Sequence, residues 1–376
     1  MNSNCIYTYS IVATNIAIDP MSAPTNTALF VDADGFFSVR KNMDFPTAEK
    51  GEMIVRVLYS GINPADTKHS SHLGIVDTVI GYDFCGEVVD AGTTSFSVGN
   101  IVAGMTPTGI GRPSRYGAHQ DYLCCPEDMA WLVPENLPRP HAAGLSVVLA
   151  TAADAVFNLF GLPLPGDDAT TTKKDQARGA LLIWGGSSSV GICAIQLARA
   201  AGCREILVTA SPGRHELLKS LGASACFDYA SPSVVADIRA AVEARNSEIM
   251  YAIDAIGTPA SATQVESCSG DSTILVSTTQ TFGRFQMPFA TRSRDVKIRI
   301  PGLTQVITIP SQPAEAAKMD AAVKLAVRNY GNAFSLPKVE VFSGNADGCL
   351  AKVQETVDKG AFGKTVLQHP FGASVC

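Results

Sequence analysis

The sequence predicts an α/β protein in which an antiparallel, barrel-like domain precedes a parallel sheet covered by helices on both faces. Three observations lead there. From Thr27 to about Val133 short β-like runs alternate with turn residues; from about Ala152 the rhythm becomes strand then helix; and at Ala180–Gly202 a glycine- and serine-rich turn joins one such pair. A chain of 376 residues has room for two or three domains and a large apolar interior.

The elements follow in order. Residues 1–20 carry no basic region followed by an apolar run, so they do not resemble a secretory signal; they are expected to be a disordered extension or a mis-assigned start ahead of Met21. Residues 21–150 hold the runs "ALFV", "FFSVR", "EMIVRVLYSGIN", "GEVVDAG", "NIVAGM" and "HQDYLCC", which read as the barrel-like domain. The apolar stretch Leu145–Leu164 contains Asp154 and Asn158 and is followed by Pro165, so it reads as a buried helix rather than a membrane span. "GLPLPGDDATTTKKDQARG" (161–179) is polar and aperiodic, an exposed loop. Residues 151–310 then give the sheet and helices of a cofactor domain: "ALLIWGG", "EILVTAS", "CFDYA", "IMYAIDAIG" and "STILVSTT", most of them followed by helical patterns. Residues 311–376 are expected to return and complete the first domain.

Composition excludes several classes. With 46% hydrophobic and 17% charged residues and a net charge of -6, the chain is neither disordered nor suited to a phosphate backbone, and no basic run marks nucleic-acid binding. The ten cysteines form no dense framework, so they read as reduced thiols of the cytoplasm. Cys124 and Cys125 are neighbours in a strand and point to opposite faces; one is expected to be buried, rather than both to share a ligand.

The chemistry centres on "WGGSSSVGICAIQLARAAG". Gly186 and Gly191 frame Ser188, which stands where a dinucleotide fingerprint has its middle glycine. A strand ahead and apolar residues at helical spacing behind place the loop at a helix N-terminus, where unpaired N–H groups suit a pyrophosphate. Gly186 is expected to make the tight turn and Gly191 to allow close approach, with Ser187, Ser188, Ser189 and Val190 lining the loop. At the end of the next strand, Thr209–His215 offers hydroxyls and Arg214 where NAD enzymes carry a carboxylate. Ser211 and Arg214 therefore point to the 2′-phosphate of NADPH, since a charge-assisted hydrogen bond is worth about 1.5–3 kcal/mol.

With "GINPAD", "GYDFCGEVVDAG", "GGSSSVG" and "FDY" in this order, the chain resembles the medium-chain dehydrogenase/reductase superfamily from about Ala28 to Gln368, and within it the fungal trans-acting enoyl reductases of polyketide pathways. The resemblance implies a GroES-like catalytic domain built from both chain ends, a Rossmann domain between them, and a substrate cleft where they meet. It also implies site residues: Lys68 beside the substrate carbonyl, Asp66 orienting the Asn63–Lys68 loop, Thr151 at the nicotinamide carboxamide, Tyr229 near the ribose phosphate, and Ile256 and Gly257 at the nicotinamide ribose. Tyr59 is a further candidate donor. Zinc enzymes of the superfamily have a Cys in the loop where this chain has Gly61-Ile62-Asn63-Pro64, and Gly-His-Glu where it has Gly81-Tyr82-Asp83, so no metal is expected. Asn100 replaces the family's usual Asp at a turn that either residue can fill.

The implied reaction is NADPH-dependent reduction of an activated C=C bond, with a free or carrier-bound enoyl substrate and a polyketide synthase as an implied partner. A quinone or ketone reductase of the same fold, and a non-redox or binding protein that holds the cofactor, stay open, as does monomer against homodimer. No nucleic-acid or membrane partner is expected.

Overall fold

The computed structural model describes residues 26–166, 179–279, 283–300, 305–360 and 362–372. The extension expected at 1–20 and most of the loop expected at 161–179 lie outside the described residues.

In chain order, β1 (Asn26–Val31), β2 (Phe37–Met43), β3 (Glu52–Gly61), α1 (Ala65–Leu73), β4 (Thr78–Val79), β5 (Asp83–Asp90), β6 (Ile101–Met105), β7 (Tyr122–Pro126) and β8 (Ala130–Leu132) form the first half. β3 is the hub: it pairs antiparallel with β5, with β7 and with a strand from the chain end. Met53, Val55 and Val57 alternate along β3 into a core shared with Phe84, Val88, Val102 and Leu123. Cys124 and Cys125 are both buried, not one of them, because β7 is covered on both faces.

The segment expected as one helix over Leu145–Leu164 is divided. α2 (Arg139–Ala143) and α3 (Ser146–Ala153) are followed by a π-helical stretch, Asp154–Leu159. That stretch opens on Asp154, whose two carboxylate oxygens accept from Arg292 at 2.6 and 2.7 Å and from the Phe289 N–H at 2.8 Å.

The parallel sheet comprises β9 (Ala180–Trp184), α4 (Ser189–Ala200), β10 (Ile206–Thr209), α5 (His215–Leu221), β11 (Ala225–Phe227), α6 (Val234–Glu243), β12 (Ile249–Asp254), α7 (Pro259–Cys268) and β13 (Ile274–Ser277). Its order is β11-β10-β9-β12-β13, so the chain reverses direction on either side of β9. A crevice at the carboxyl ends of β9 and β12 is the consequence. All five residues of β9 are buried, as a central parallel strand requires. α6 packs through Val234, Ile238 and Val242, and α7 starts on a capping box formed by Thr258 and Ser261.

A hairpin, β14 (Val296–Arg299) with β15 (Val306–Ile309), leads to α8 (Pro313–Arg328). In the segment expected to return, α8 packs its apolar stripe of Met319, Ala322, Val323 and Ala326 into the main core with α3 and α4. β16 (Val339–Phe342), α9 (Ala346–Lys359) and β17 (Lys364–Gln368) follow, the last pairing with β3. α9 is capped by Asn345 and buries Ala346, Cys349, Val353 and Val357 at helical spacing. No helix among the described residues is long and apolar enough to cross a membrane.

Candidate active site

The turn between β9 and α4 is built by three glycines with different tasks. Gly185, not Gly186, makes the tight turn, with φ +83°. Gly186 is small for another reason: a Cβ there would lie 2.0 Å from Val208 Cγ1 on β10. Gly191 lets α4 approach, since its Cβ would meet the Gly185 carbonyl oxygen at 2.5 Å. Ser188 sits at the helix N-cap in extended backbone, and its Oγ accepts from the Gly191 N–H at 3.0 Å. A side-chain oxygen satisfies one of the helix's first amides, which the usual glycine cannot do. The amides of Ser187, Ser189 and Val190 have no hydrogen-bond partner among the described residues. They are free to donate at the positive end of α4, where the helix dipole favours an anion. The Ser189 hydroxyl is already committed, donating to the Gly363 carbonyl at 3.0 Å, so Ser189 can serve an anion only through its amide.

Thr209 at the end of β10 braces this turn from below: its Oγ1 accepts from the Gly185 N–H and its carbonyl from the Gly186 N–H. Beyond it, Ser211 and Arg214 are exposed on a short 3-10 turn. The Arg214 guanidinium lies 3.8 Å above the Phe362 ring and makes no ion pair or side-chain hydrogen bond among the described residues. Tyr229 is exposed and lies two residues past β11 rather than within the strand.

Across the crevice, the exposed Ile256 lies with its side chain against Gly185, so the ends of β9 and β12 meet. Gly257 has φ +70° and receives a 2.7 Å hydrogen bond on its carbonyl from Thr279 Oγ1. The turn is organised by a residue sequence reasoning did not single out. Asp254, fully buried, accepts from the amides of Ile256 and Gly257 at 3.1 and 2.9 Å and from Ser261 Oγ at 2.8 Å, while burial raises its pKa.

On the substrate side, the segment expected as a loop is the first turn of α1. Lys68 is exposed there, with no partner for its Nζ among the described residues. Asp66, in contrast, is buried. Its Oδ2 accepts from the Asn63 N–H at 2.7 Å and contacts His119 Nε2 at 3.1 Å, while Oδ1 is buried without a partner. From His119 the contacts continue through Ser60 Oγ (2.9 Å) to His369 Nε2 (2.8 Å) and on to Asp121 (3.4 Å).

A second network joins the two halves. Asn63 Nδ2 donates to Asp83 Oδ2 at 2.9 Å, Lys364 Nζ donates to Asn63 Oδ1 at 2.5 Å and lies 3.3 Å from Asp83, and the Val147 N–H donates to Asp83 Oδ1 at 2.7 Å. Val147 in turn accepts the Thr151 hydroxyl at 2.7 Å. Thr151 and the Asn63 segment are thereby linked through Asp83, whose pKa is raised by burial. Tyr59 is half-buried against the main core.

Two groups here carried no functional signal in the sequence beyond a departure from pattern. Tyr82, where zinc enzymes have histidine, places its hydroxyl 2.8 Å from His69 Nδ1, with Thr108 Oγ1 donating to it at 3.4 Å. The Arg112 guanidinium lies 4.5 Å from the Tyr82 ring centre. Burial pushes His69 down to about 4, so it is neutral near pH 7 and able to accept the Tyr82 proton in a hydrogen bond.

Two family profiles match this chain: one described as the alcohol dehydrogenase GroES-like domain, over residues 49–135, and one as zinc-binding dehydrogenase, over 189–285. A trans-enoyl reductase of Aspergillus japonicus is 35% identical over 213 residues, covering 55% of this chain and 59% of that protein. A trans-enoyl reductase of Macrophomina phaseolina is 36% identical over 62% of this chain and 64% of that protein. The chain thus matches less than two thirds of the length of either reductase. A zinc-type alcohol dehydrogenase-like protein of Schizosaccharomyces pombe is 32% identical over 63% of this chain and 67% of that protein. Among solved structures, the CurK enoyl reductase superposes with a TM-score of 0.68 at 17% identity, covering 92% of this chain and 99% of that one. The quinone oxidoreductase of Coxiella burnetii gives 0.65 at 20% identity, covering 92% and 100%. An antiparallel sheet joined by the chain's own last strand, a parallel sheet of order β11-β10-β9-β12-β13 and sequence matches in both halves lead to one conclusion: the chain belongs to the medium-chain dehydrogenase/reductase superfamily.

Proposed function

We propose that this chain uses NADPH, and no metal, to reduce the C=C bond of an α,β-unsaturated carbonyl in fungal polyketide or related secondary metabolism. The observation that carries the reading is the cofactor turn. Three amides at and just before the start of α4, unpaired among the described residues, suit a pyrophosphate, and the β10 tip presents Ser211 and Arg214 without a carboxylate. Trans-enoyl reductases among the relatives support the substrate class.

The residues at the superfamily's zinc positions do not suit the metal. Asn63 offers an amide and Tyr82 a phenol, both already hydrogen-bonded to neighbours. No step is routed through zinc. When bound, reduced nicotinamide supplies the hydride that reaches the substrate's β-carbon. The Lys68 ammonium holds the carbonyl oxygen as enolate charge develops, then gives its proton to the α-carbon and is reprotonated from water. Thr151 spends its hydroxyl proton on Val147, which leaves its oxygen lone pairs to accept from the nicotinamide carboxamide. Asp66 acts at a distance, fixing the Asn63 backbone from which α1 starts. Tyr229, Ile256 and Gly257 complete the cofactor's surroundings, and the substrate is a free or carrier-bound enoyl chain.

Loss of NADPH absorbance on incubation with enoyl thioesters, quinones and saturated ketones tests this reading. Enoyl thioesters should be consumed fastest, one NADPH per double bond. Product formed without NADPH loss, or calorimetry showing no NADPH binding, overturns it. Lys68→Met should lower kcat about 100-fold while NADPH affinity stays within about twofold, as expected for removal of one stabilising charge.

A further inference from the structure

Three consecutive residues of the returning segment each touch a different part of the site. Phe362 lies beneath the Arg214 guanidinium at 3.8 Å; Gly363 accepts the Ser189 hydroxyl at 3.0 Å; and Lys364 reaches Asn63 and Asp83. Adenosine end, pyrophosphate helix and catalytic segment are thus tied to one short strap. Arg214 is the member of this set whose charged head is left open. One face of its guanidinium is covered by the aromatic ring, and its N–H edge makes no hydrogen bond to any described residue. An arginine on an exposed turn samples many rotamers, and ordering it on binding an anion costs entropy. A ring that holds the planar group by its face, leaving the edge free, removes much of that cost. Phe362 is itself held, since it packs against the main core, and Gly363 beside it has φ +88° with no room for a Cβ next to the Lys338 carbonyl.

From this we infer that Phe362 is a positioning residue for cofactor choice: the returning segment, not the parallel-sheet domain alone, completes the site for a 2′-phosphate by presenting the edge of Arg214. The inference rests on the NADPH reading above. It places a determinant of phosphate selection 148 positions from Arg214 in sequence, on the other half of the molecule.

Calorimetry on the full chain tests it, with NADPH, NADH and adenosine 2′,5′-bisphosphate as probes and four proteins: unaltered, Arg214→Ala, Phe362→Leu and Phe362→Tyr. Phe362→Leu keeps an apolar side chain of similar reach but no aromatic face. It should weaken NADPH and the bisphosphate about three- to tenfold and NADH less than about twofold, in keeping with the loss of one cation–π contact. Phe362→Tyr should bind all three probes as the unaltered chain does, and Arg214→Ala should lose NADPH at least as strongly as Phe362→Leu. Arg214→Ala weak for NADPH with Phe362→Leu unchanged overturns the role of Phe362 and leaves the NADPH reading standing. Equal loss of NADPH and NADH in Phe362→Leu also overturns it, as a merely structural effect. An Arg214→Ala chain that binds NADPH as tightly as the unaltered one overturns both.

Discussion

The two walls of the cleft are built on opposite terms. On the cofactor wall the groups that would meet a ligand are left unpaired among the described residues: the amides of Ser187, Ser189 and Val190 and the edge of Arg214. On the substrate wall nearly every polar side chain is already taken. Asn63, Asp83 and Lys364 satisfy one another, and Asp66, His119, Ser60 and His369 form a buried file, while Lys68 is exposed with no partner for its Nζ among the described residues. On the first wall the turn before α4 offers backbone, where side chains need only stay small, and Arg214 adds a charged edge. The other holds its geometry through long-range side-chain pairs, where each identity matters. Substitutions should therefore cost more on the substrate wall, even far from the chemistry.

Lys364→Met gives the sharpest test of that difference. Lys364 is only 4% exposed and its partner Asp83 is fully buried, so the change strands a carboxylate and an amide oxygen in the interior. Breaking one side of a buried pair costs about 3–5 kcal/mol, whereas removing both sides is often close to neutral. Denaturant unfolding should show a loss of that size for Lys364→Met and recovery of most of it in the double variant Asp83→Asn, Lys364→Met. A loss under about 1 kcal/mol in the single variant would mean the pair behaves like an exposed one, and the contrast between the walls would fail.

Acid should find the same wall. The pKa of His69 is depressed by burial from 6.5 to about 4. Between those values the unfolded chain takes up a proton that the folded chain refuses, so this stability is complete above pH 6.5 and is lost as pH falls through the window. At 1.36 kcal/mol per pKa unit the loss approaches about 3 kcal/mol by pH 4. Burial lowers the pKa of His141 and His369 as well, and they act in the same direction; Asp83 and Asp254, with raised values, act in the opposite one. The difference between the unaltered chain and His69→Gln isolates the one group. Melting temperatures from pH 7 to 4.5 should fall more steeply for the unaltered chain, and parallel curves would remove His69 from the account.

The same contrast explains what the sequence made legible. "ALLIWGGSSSVG" announces strand, turn and helix because the turn works through small residues and backbone, which leave a local pattern of glycine and serine. Its details were less visible. Gly185 takes positive φ while Gly186 is kept small by Val208 of the neighbouring strand, a division of tasks that two adjacent glycines in a sequence do not display. The substrate wall has no such local signature. Lys364 is 301 positions from Asn63 and His369 is 309 from Ser60, and no periodicity couples residues so far apart. The π-helical stretch after α3 was unreadable for a like reason: Asp154 at its start is held by Arg292, 138 positions away. The loop expected at Asn63–Lys68 rests on the family resemblance alone; a proline suits the start of a helix, and α1 follows Pro64 at once.

Ser188 offers the smallest and most discriminating probe of the backbone wall. If recognition there runs through amides, the serine at the middle-glycine position matters for the helix end and not for the ligand. Its Oγ holds the Gly191 N–H, and an N-cap serine exchanged for alanine costs about 1 kcal/mol, for glycine only a few tenths. Ser188→Gly would restore the usual fingerprint, so stability should drop slightly and NADPH affinity change by less than about twofold. Ser188→Ala should lose about 1 kcal/mol with affinity likewise kept, since the open amides belong to Ser187, Ser189 and Val190. A large loss of affinity in both variants at near-normal stability would make the hydroxyl a direct phosphate donor, and the turn before α4 would then depend on side chains as the opposite wall does.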